Sequence, residues 1–190
     1  MSPQNTLTDQ VALVTGSARR IGAAIATALH QAGANVVIHY RKSGDAAVAL
    51  VEHLNAVRGD SALAIQADLN ETSRLPDLVK RVVAWRGRLD ILVNNASSFY
   101  PTPPGDITEE QWEDLVGSNL KAPLFLSQAA MQELRTARGS VVNIVDIHAR
   151  RPLQHHTVYG PAKAGLAMLT LSLAKDLAPE VRVNGVAPGA

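Results

Sequence analysis

The 190-residue chain is 46% hydrophobic and 18% charged, the balance of an ordinary globular domain large enough for one sizeable core. A formal net charge of +1 argues against a nucleic-acid binder, which would need a basic face or stripe, and the absence of cysteine excludes disulfides and thiolate metal sites. No apolar run is long enough to span a bilayer, and the opening MSPQNTLTDQ lacks a signal-peptide pattern, so no membrane association is expected and the expected location is the cytoplasm.

Short β-branched runs alternate with longer amphipathic stretches. In chain order the pattern predicts a strand over 11–15, a helix over 21–32, a strand over 35–39 and a helix over 44–57. A strand over 62–66, a helix over 73–86 and a strand over 91–94 follow, then one long helix over 108–133. The last elements are a strand over 140–145, a helix over 159–177 and a strand over 182–186. The strands are almost continuously apolar, as strands buried on both faces of a parallel sheet must be. Strand–helix alternation with right-handed crossovers gives an α/β fold, a Rossmann-type doubly wound parallel sheet, with residues 1–190 forming one domain. The chain stops at VRVNGVAPGA, just past a strand-like run, an ending that suggests the C-terminal part of the fold lies outside this sequence.

Doubly wound sheets bind ligands beyond the C-terminal ends of their strands. The loops to watch are therefore 16–22, 40–44, 67–69, 95–105, 146–157 and 187–190. The first strand runs into Gly16-Ser-Ala-Arg-Arg-Ile-Gly22 and an Ala-rich helix. Gly16 permits the tight turn, Gly22 allows close helix–sheet packing, and the exposed N–H groups of the helix start suit a phosphate. An NAD enzyme would close its second strand with an acidic residue for the ribose 2′-hydroxyl. Here the tip reads His39-Tyr40-Arg41-Lys42-Ser43, whose cations and hydroxyl would attract a 2′-phosphate. The expected cofactor is NADPH.

Tyr159 and Lys163 stand four residues apart at the start of the last helix and so share a face. A nearby ammonium favours phenolate and would lower the tyrosine pKa toward the general acid–base range. Asn119 sits mid-helix, where asparagine is mildly unfavourable, which points to a role. Asp146 follows the fifth strand, where it is either a helix cap or a functional carboxylate.

The Thr-Gly-x-x-x-[Gly]-x-Gly spacing resembles that of the short-chain dehydrogenases/reductases, a resemblance running from Val11 to Ala190, with Arg20 at the middle glycine. Its implications extend the site. Asp68-Leu69 matches the adenine contact, and Asn94-Asn95-Ala96-Ser97 matches the NNAG motif. Lys163 would also hold the nicotinamide ribose, and Asn119 would complete a proton relay. Pro188 and Gly189 would contact the cofactor, with a substrate-covering loop to follow. Asp146 occupies the position of the usual catalytic serine. Arg20, the HYRKS tip, Asn94–Pro103 and Asp146 together resemble the pteridine reductase branch, which reduces biopterins and folates. That resemblance implies a pterin or folate substrate stacked on Phe99, with Arg20 and Ser97 hydrogen-bonding the ring and Asp146 and Tyr159 serving its nitrogens. Ile21 joins the cofactor-binding turn, no metal is expected, and a homotetramer is usual for the family. A carbonyl reductase, for example of 3-oxoacyl thioesters, is the alternative, and a non-catalytic NADPH sensor a further one.

Overall fold

The computed structural model describes residues 6–189. Six parallel strands form one sheet: β1 (Val11–Val14), β2 (Asn35–Tyr40), β3 (Ala62–Gln66), β4 (Ile91–Asn94), β5 (Ser140–Ile144) and β6 (Arg182–Val186). Their spatial order, β3-β2-β1-β4-β5-β6, reverses direction at β1. Leu13 of β1 lies between Val37 on one side and Leu92 on the other, so the central strand is paired along both edges.

Side-chain alternation divides the apolar residues of each strand between two cores. Val11, Leu13, Val37 and Leu92 face one side of the sheet, while Ala12, Val14, Val36, Ile38 and Val93 face the other. The first core is closed by α3 (Leu75–Arg86), α5 (Ala122–Ala129) and α6 (Met131–Ala137), through Leu78, Val82, Leu126 and Leu134. The second is closed by α1 (Arg20–Gln31) and α2 (Gly44–Val57), through Ala26, Ala47 and Leu54. Two-sided burial explains why β1 is fully buried along its length and shows no polar face. The fold is the Rossmann-type doubly wound sheet expected from the pattern. Its ligand crevice falls where the loops after β1 and β4 part, at the reversal of strand order.

The long helix expected over 108–133 is instead interrupted. Helix α4 (Glu109–Val116) starts on a reciprocal cap, Thr108 Oγ1 accepting from the Gln111 N–H and Gln111 Oε1 accepting from the Thr108 N–H. A π-turn over Gly117–Lys121 follows, then α5 and α6. The reason is local: Ser118 Oγ and Asn119 Nδ2 donate to the carbonyls of Asp114 and Leu115, at 2.7 and 2.9 Å, inserting side chains into the helical ladder. Gly117 fits against Asn70, where an added Cβ would lie 2.8 Å from Oδ1. The last helix, α7 (Tyr159–Asp176), packs on this π-turn, with Gly165 against Leu120. Among the described residues no helix is long and apolar enough to cross a membrane.

Candidate active site

The turn after β1 is built for close approach. Gly16 has φ +60°, and a Cβ there would come within 2.9 Å of the Ala96 Cα. A Cβ on Gly22 would lie 2.4 Å from the Gly16 carbonyl oxygen and 2.6 Å from Asn95 Nδ2. Asn95 ties this turn to β4: its Nδ2 donates to the carbonyls of Thr15 (2.8 Å) and Gly16 (3.1 Å). The backbone N–H groups of Asn95 and Ala96 both donate to Thr15 Oγ1. Between the two loops opens a cleft of about 370 Å³, lined by Gly16, Arg20, Ile21, Gly22, Arg41, Asp68, Leu69, Asn95, Ala96 and Ser97. Thus most of the residues expected at the cofactor lie along one cavity. A cradle that any side chain on Gly16 or Gly22 would fill, at the start of α1, fits a dinucleotide pyrophosphate.

Arg20, at the family's middle-glycine position, keeps a glycine's backbone: φ is +54°, in the left-handed region. Its side chain is exposed at the edge of the cleft. The turn therefore holds a conformation that an L-residue adopts only at a cost of about 1–2 kcal/mol.

At the β2 tip His39 stands apart from its neighbours. His39 is buried, its Nδ1 accepting from the Gly16 N–H at 3.0 Å and its Nε2 donating to the Ala67 carbonyl at 3.2 Å. Both ring nitrogens are thus spent on backbone, and burial pushes the imidazole pKa down to about 4. His39 is a neutral strut under the glycine turn, although its ring forms part of the cleft wall. The remaining tip residues face a cavity. Tyr40, Arg41, Lys42 and Ser43 line a continuation of the cleft, about 250 Å³ in volume. Ser43 stands at the N-cap of α2 without spending its hydroxyl on the helix. Asp68 engages one oxygen in a turn with the Asn70 N–H, at 3.0 Å.

Tyr159 opens α7 and is buried, its hydroxyl donating to Asp146 Oδ2 at 2.6 Å. Asp146 uses both its oxygens. Its other oxygen accepts the His148 N–H at 2.9 Å, capping a short 3₁₀ turn over Ile147–Ala149. Lys163, one turn along α7, is also buried, and its Nζ donates to the Ile144 carbonyl at 2.8 Å. The expected depression of the tyrosine pKa is not what these surroundings produce. Burial first, then the hydrogen bond and charge of Asp146, push the phenol up, with Ser97 opposing. Burial pushes the Lys163 ammonium down to about 8, against the pull of Asp146. Lys163 Nζ stands 5.8 Å from the centre of the tyrosine ring. In the resting site tyrosine carries the proton and aspartate accepts it, so the pair can donate rather than abstract.

Phe99 is 55% exposed. Its ring meets Tyr159 edge-on at 4.8 Å and stacks on His156 at 4.7 Å, with an angle of 19° between the planes. His156 escaped the sequence reading because an isolated histidine in a loop carries no periodic signal. It is brought there by Thr102, a buried residue whose N–H donates to the His155 carbonyl at 2.5 Å and whose Oγ1 accepts the Val158 N–H at 3.2 Å. Asn119 is buried in the π-turn. Among the described residues it hydrogen-bonds to neither Tyr159 nor Lys163. Oδ1 accepts from Ser97 Oγ at 2.7 Å, and Nδ2 donates to the carbonyls of Ser98 and Leu115, each at 2.9 Å. Asn119 therefore braces the loop that carries Ser97 and Phe99. Pro188 and Gly189 leave the end of β6 exposed, Gly189 lying against Ile147.

A cleft at the sheet's reversal point floored by a turn left free of side chains at Gly16 and Gly22, with a tyrosine and a lysine one helical turn apart beside it, is the arrangement of a dinucleotide-dependent oxidoreductase. The family model for short chain dehydrogenase matches residues 10–190, and the chain belongs to that family, whose members use a nicotinamide cofactor. It is 41% identical over 221 aligned residues to pteridine reductase 1 of Leishmania tarentolae, covering 96% of this chain and 76% of that protein. An uncharacterised oxidoreductase of Methylorubrum extorquens is 38% identical, with 96% and 73% covered. The 3-oxoacyl-[acyl-carrier-protein] reductase FabG of Staphylococcus epidermidis is 36% identical, with 94% and 73% covered.

Proposed function

We propose that the protein is an NADPH-dependent pteridine reductase, reducing a C=N bond of a dihydropterin or dihydrofolate-type ring. The observation that carries this reading is the 2.6 Å hydrogen bond from Tyr159 to Asp146 beside Phe99. A carbonyl reductase needs a neutral donor at that position to hold a developing oxyanion, whereas an ionised carboxylate would repel it. A carboxylate suits the N–H groups and basic nitrogens of a pterin. The 41% identity to a pteridine reductase supports the same reading.

The nicotinamide, when bound, supplies the hydride. The protein's own residues supply orientation and the proton. The partly exposed Phe99 presents an aromatic surface on which a flat heteroaromatic ring can lie. Arg20 offers donors at the edge of the cleft, where Ser97 presents its hydroxyl oxygen as an acceptor. Tyr159 holds its proton at the phenolic oxygen and passes it to a ring nitrogen, and Asp146 orients that hydroxyl. Lys163, anchored on Ile144, keeps a cation behind the tyrosine, and Asn119 keeps the Ser97–Phe99 loop in place. Arg41, Lys42 and Ser43 receive the 2′-phosphate that distinguishes NADPH from NADH.

The test is NADPH oxidation measured with dihydrobiopterin, dihydrofolate and a 3-oxoacyl thioester in parallel. Turnover of the pterins is expected, with Tyr159→Phe and Asp146→Ala each losing about 10²–10⁴-fold in rate while still binding NADPH. Turnover of the thioester alone would replace this reading with the carbonyl one, and full pterin activity in either variant would remove the assigned roles.

A further inference from the structure

Arg41 leaves the end of β2 and lines both the main cleft and its continuation beside Tyr40 and Lys42. Its guanidinium is already held by an anion: Nη1 lies 3.5 Å from Oδ1 of Asp114, which approaches from α4. Among the described residues this is the ion pair that engages the cations of the β2 tip. The contact is long, made through a single nitrogen, and lies at the surface, with side chains 42% and 29% exposed. A guanidinium has five N–H donors, so Arg41 is held over the cleft without being used up.

Asp114 is also anchored on the substrate side. Its backbone carbonyl accepts from Ser118 Oγ at 2.7 Å, and Ser118 Oγ accepts the Ser98 N–H at 3.1 Å. The phenol of Tyr100, next to Phe99, is pushed up by burial first and then by the Asp114 charge and hydrogen bond. The carboxylate thus stands between the β2 tip and the loop after β4. For a cleft that takes a phosphate, a carboxylate at this spot has the wrong sign unless it is displaced. Carboxylate and phosphate are interchangeable partners for the arginine fork.

We propose that Asp114 is an internal stand-in for the cofactor 2′-phosphate. It holds Arg41 at the mouth of the adenosine end when no phosphate is there and yields it when one arrives, so Asp114 sets how strongly NADPH is preferred to NADH. The inference rests on the NADPH reading given above. A cofactor with a free 2′-hydroxyl leaves the Arg41–Asp114 pair intact. One with a 2′-phosphate competes with Asp114 for the same guanidinium, and the strength of an exposed pair sets the size of the penalty.

The experiment is direct titration of NADPH and NADH, by nucleotide fluorescence, into the wild type, Asp114→Asn, Arg41→Ala and the double variant. Asp114→Asn is expected to tighten NADPH by about 2- to 5-fold and to change NADH by less than about twofold. Arg41→Ala is expected to weaken NADPH by about tenfold or more. On the Arg41→Ala background the gain from Asp114→Asn disappears. Unchanged or weaker NADPH binding in Asp114→Asn overturns the proposal, as does an equal change for both nucleotides. A gain that survives without Arg41 also overturns it, because the effect would then be general charge. A wild type that prefers NADH fails at the cofactor reading itself. A wild type that prefers NADPH with no response to Asp114→Asn fails only here.

Discussion

Arg20 shows how one residue can work against the stability of its own turn. Its φ of +54° is a glycine's conformation, occupied by a residue whose exposed guanidinium reaches the edge of the cleft. Strain of this kind persists where the surrounding structure or the function imposes it. Here the turn is imposed by Gly16, Gly22 and Asn95, which are already in contact. Replacing Arg20 with glycine should therefore relieve strain and raise stability by about 0.5–1 kcal/mol, after allowing for the freer unfolded chain. It should also raise the KM for dihydropterin by about tenfold, because a charge-assisted donor is lost. Thermal melting and steady-state kinetics on the same preparation decide it. A variant that is both less stable and fully active would show that Arg20 serves the turn alone.

At the scale of elements, the glycine turn depends on the neighbouring strand through His39. The imidazole must be neutral to accept the Gly16 N–H, and burial lowers its pKa from 6.5 to about 4. Between those values the unfolded chain binds a proton that the folded chain does not. Stability therefore rises with pH through that window, is complete above 6.5, and falls on acidification toward 4. Urea unfolding at pH 5 and pH 7.5 should show His39→Asn losing part of that slope, and a slope identical to wild type would detach His39 from the acid response. The interrupted 108–133 segment belongs to the same scale. Its apolar periodicity promises one helix, but Ser118 and Asn119 turn their side chains onto helical carbonyls. That diversion faces Asn119 toward Ser97 and Ser98, where a regular helix would have no reason to aim it.

For the whole molecule, the all-parallel order β3-β2-β1-β4-β5-β6 gathers the loops after β1, β2 and β4 around one crevice and sets the loop after β5 beside it. The helices on the β4–β5 side leave large apolar groups in solvent: Trp112 on α4, Phe125 on α5, and Met168 and Leu171 on α7, the last two above 60% exposed. Side chains of this size left in solvent are candidates for a contact surface between copies of the chain. If they do form one, light scattering gives an oligomeric mass that Leu171→Arg lowers. A monomeric wild type would remove that assignment, and an oligomer unaffected by Leu171→Arg would move the interface elsewhere.

The sequence by itself determined the parallel doubly wound sheet, because two-sided burial leaves a continuous apolar run in every strand. It also determined the glycine turn, the cationic β2 tip and the Tyr159–Lys163 face, because each rests on contiguous or helically spaced residues. Tertiary structure alone decided which of these groups are left facing the cleft and which are spent on other loops. His39 was consumed by the backbone of two other loops, Asn119 turned toward Ser97, and His156 came to stack on Phe99 through the Thr102 link. Tertiary structure also decided the direction in which Tyr159 is tuned. Burial and a carboxylate at hydrogen-bond distance outweigh a lysine whose ammonium is turned to the Ile144 carbonyl. Such outcomes depend on distances between segments remote in sequence, and residue spacing along one chain carries no record of them.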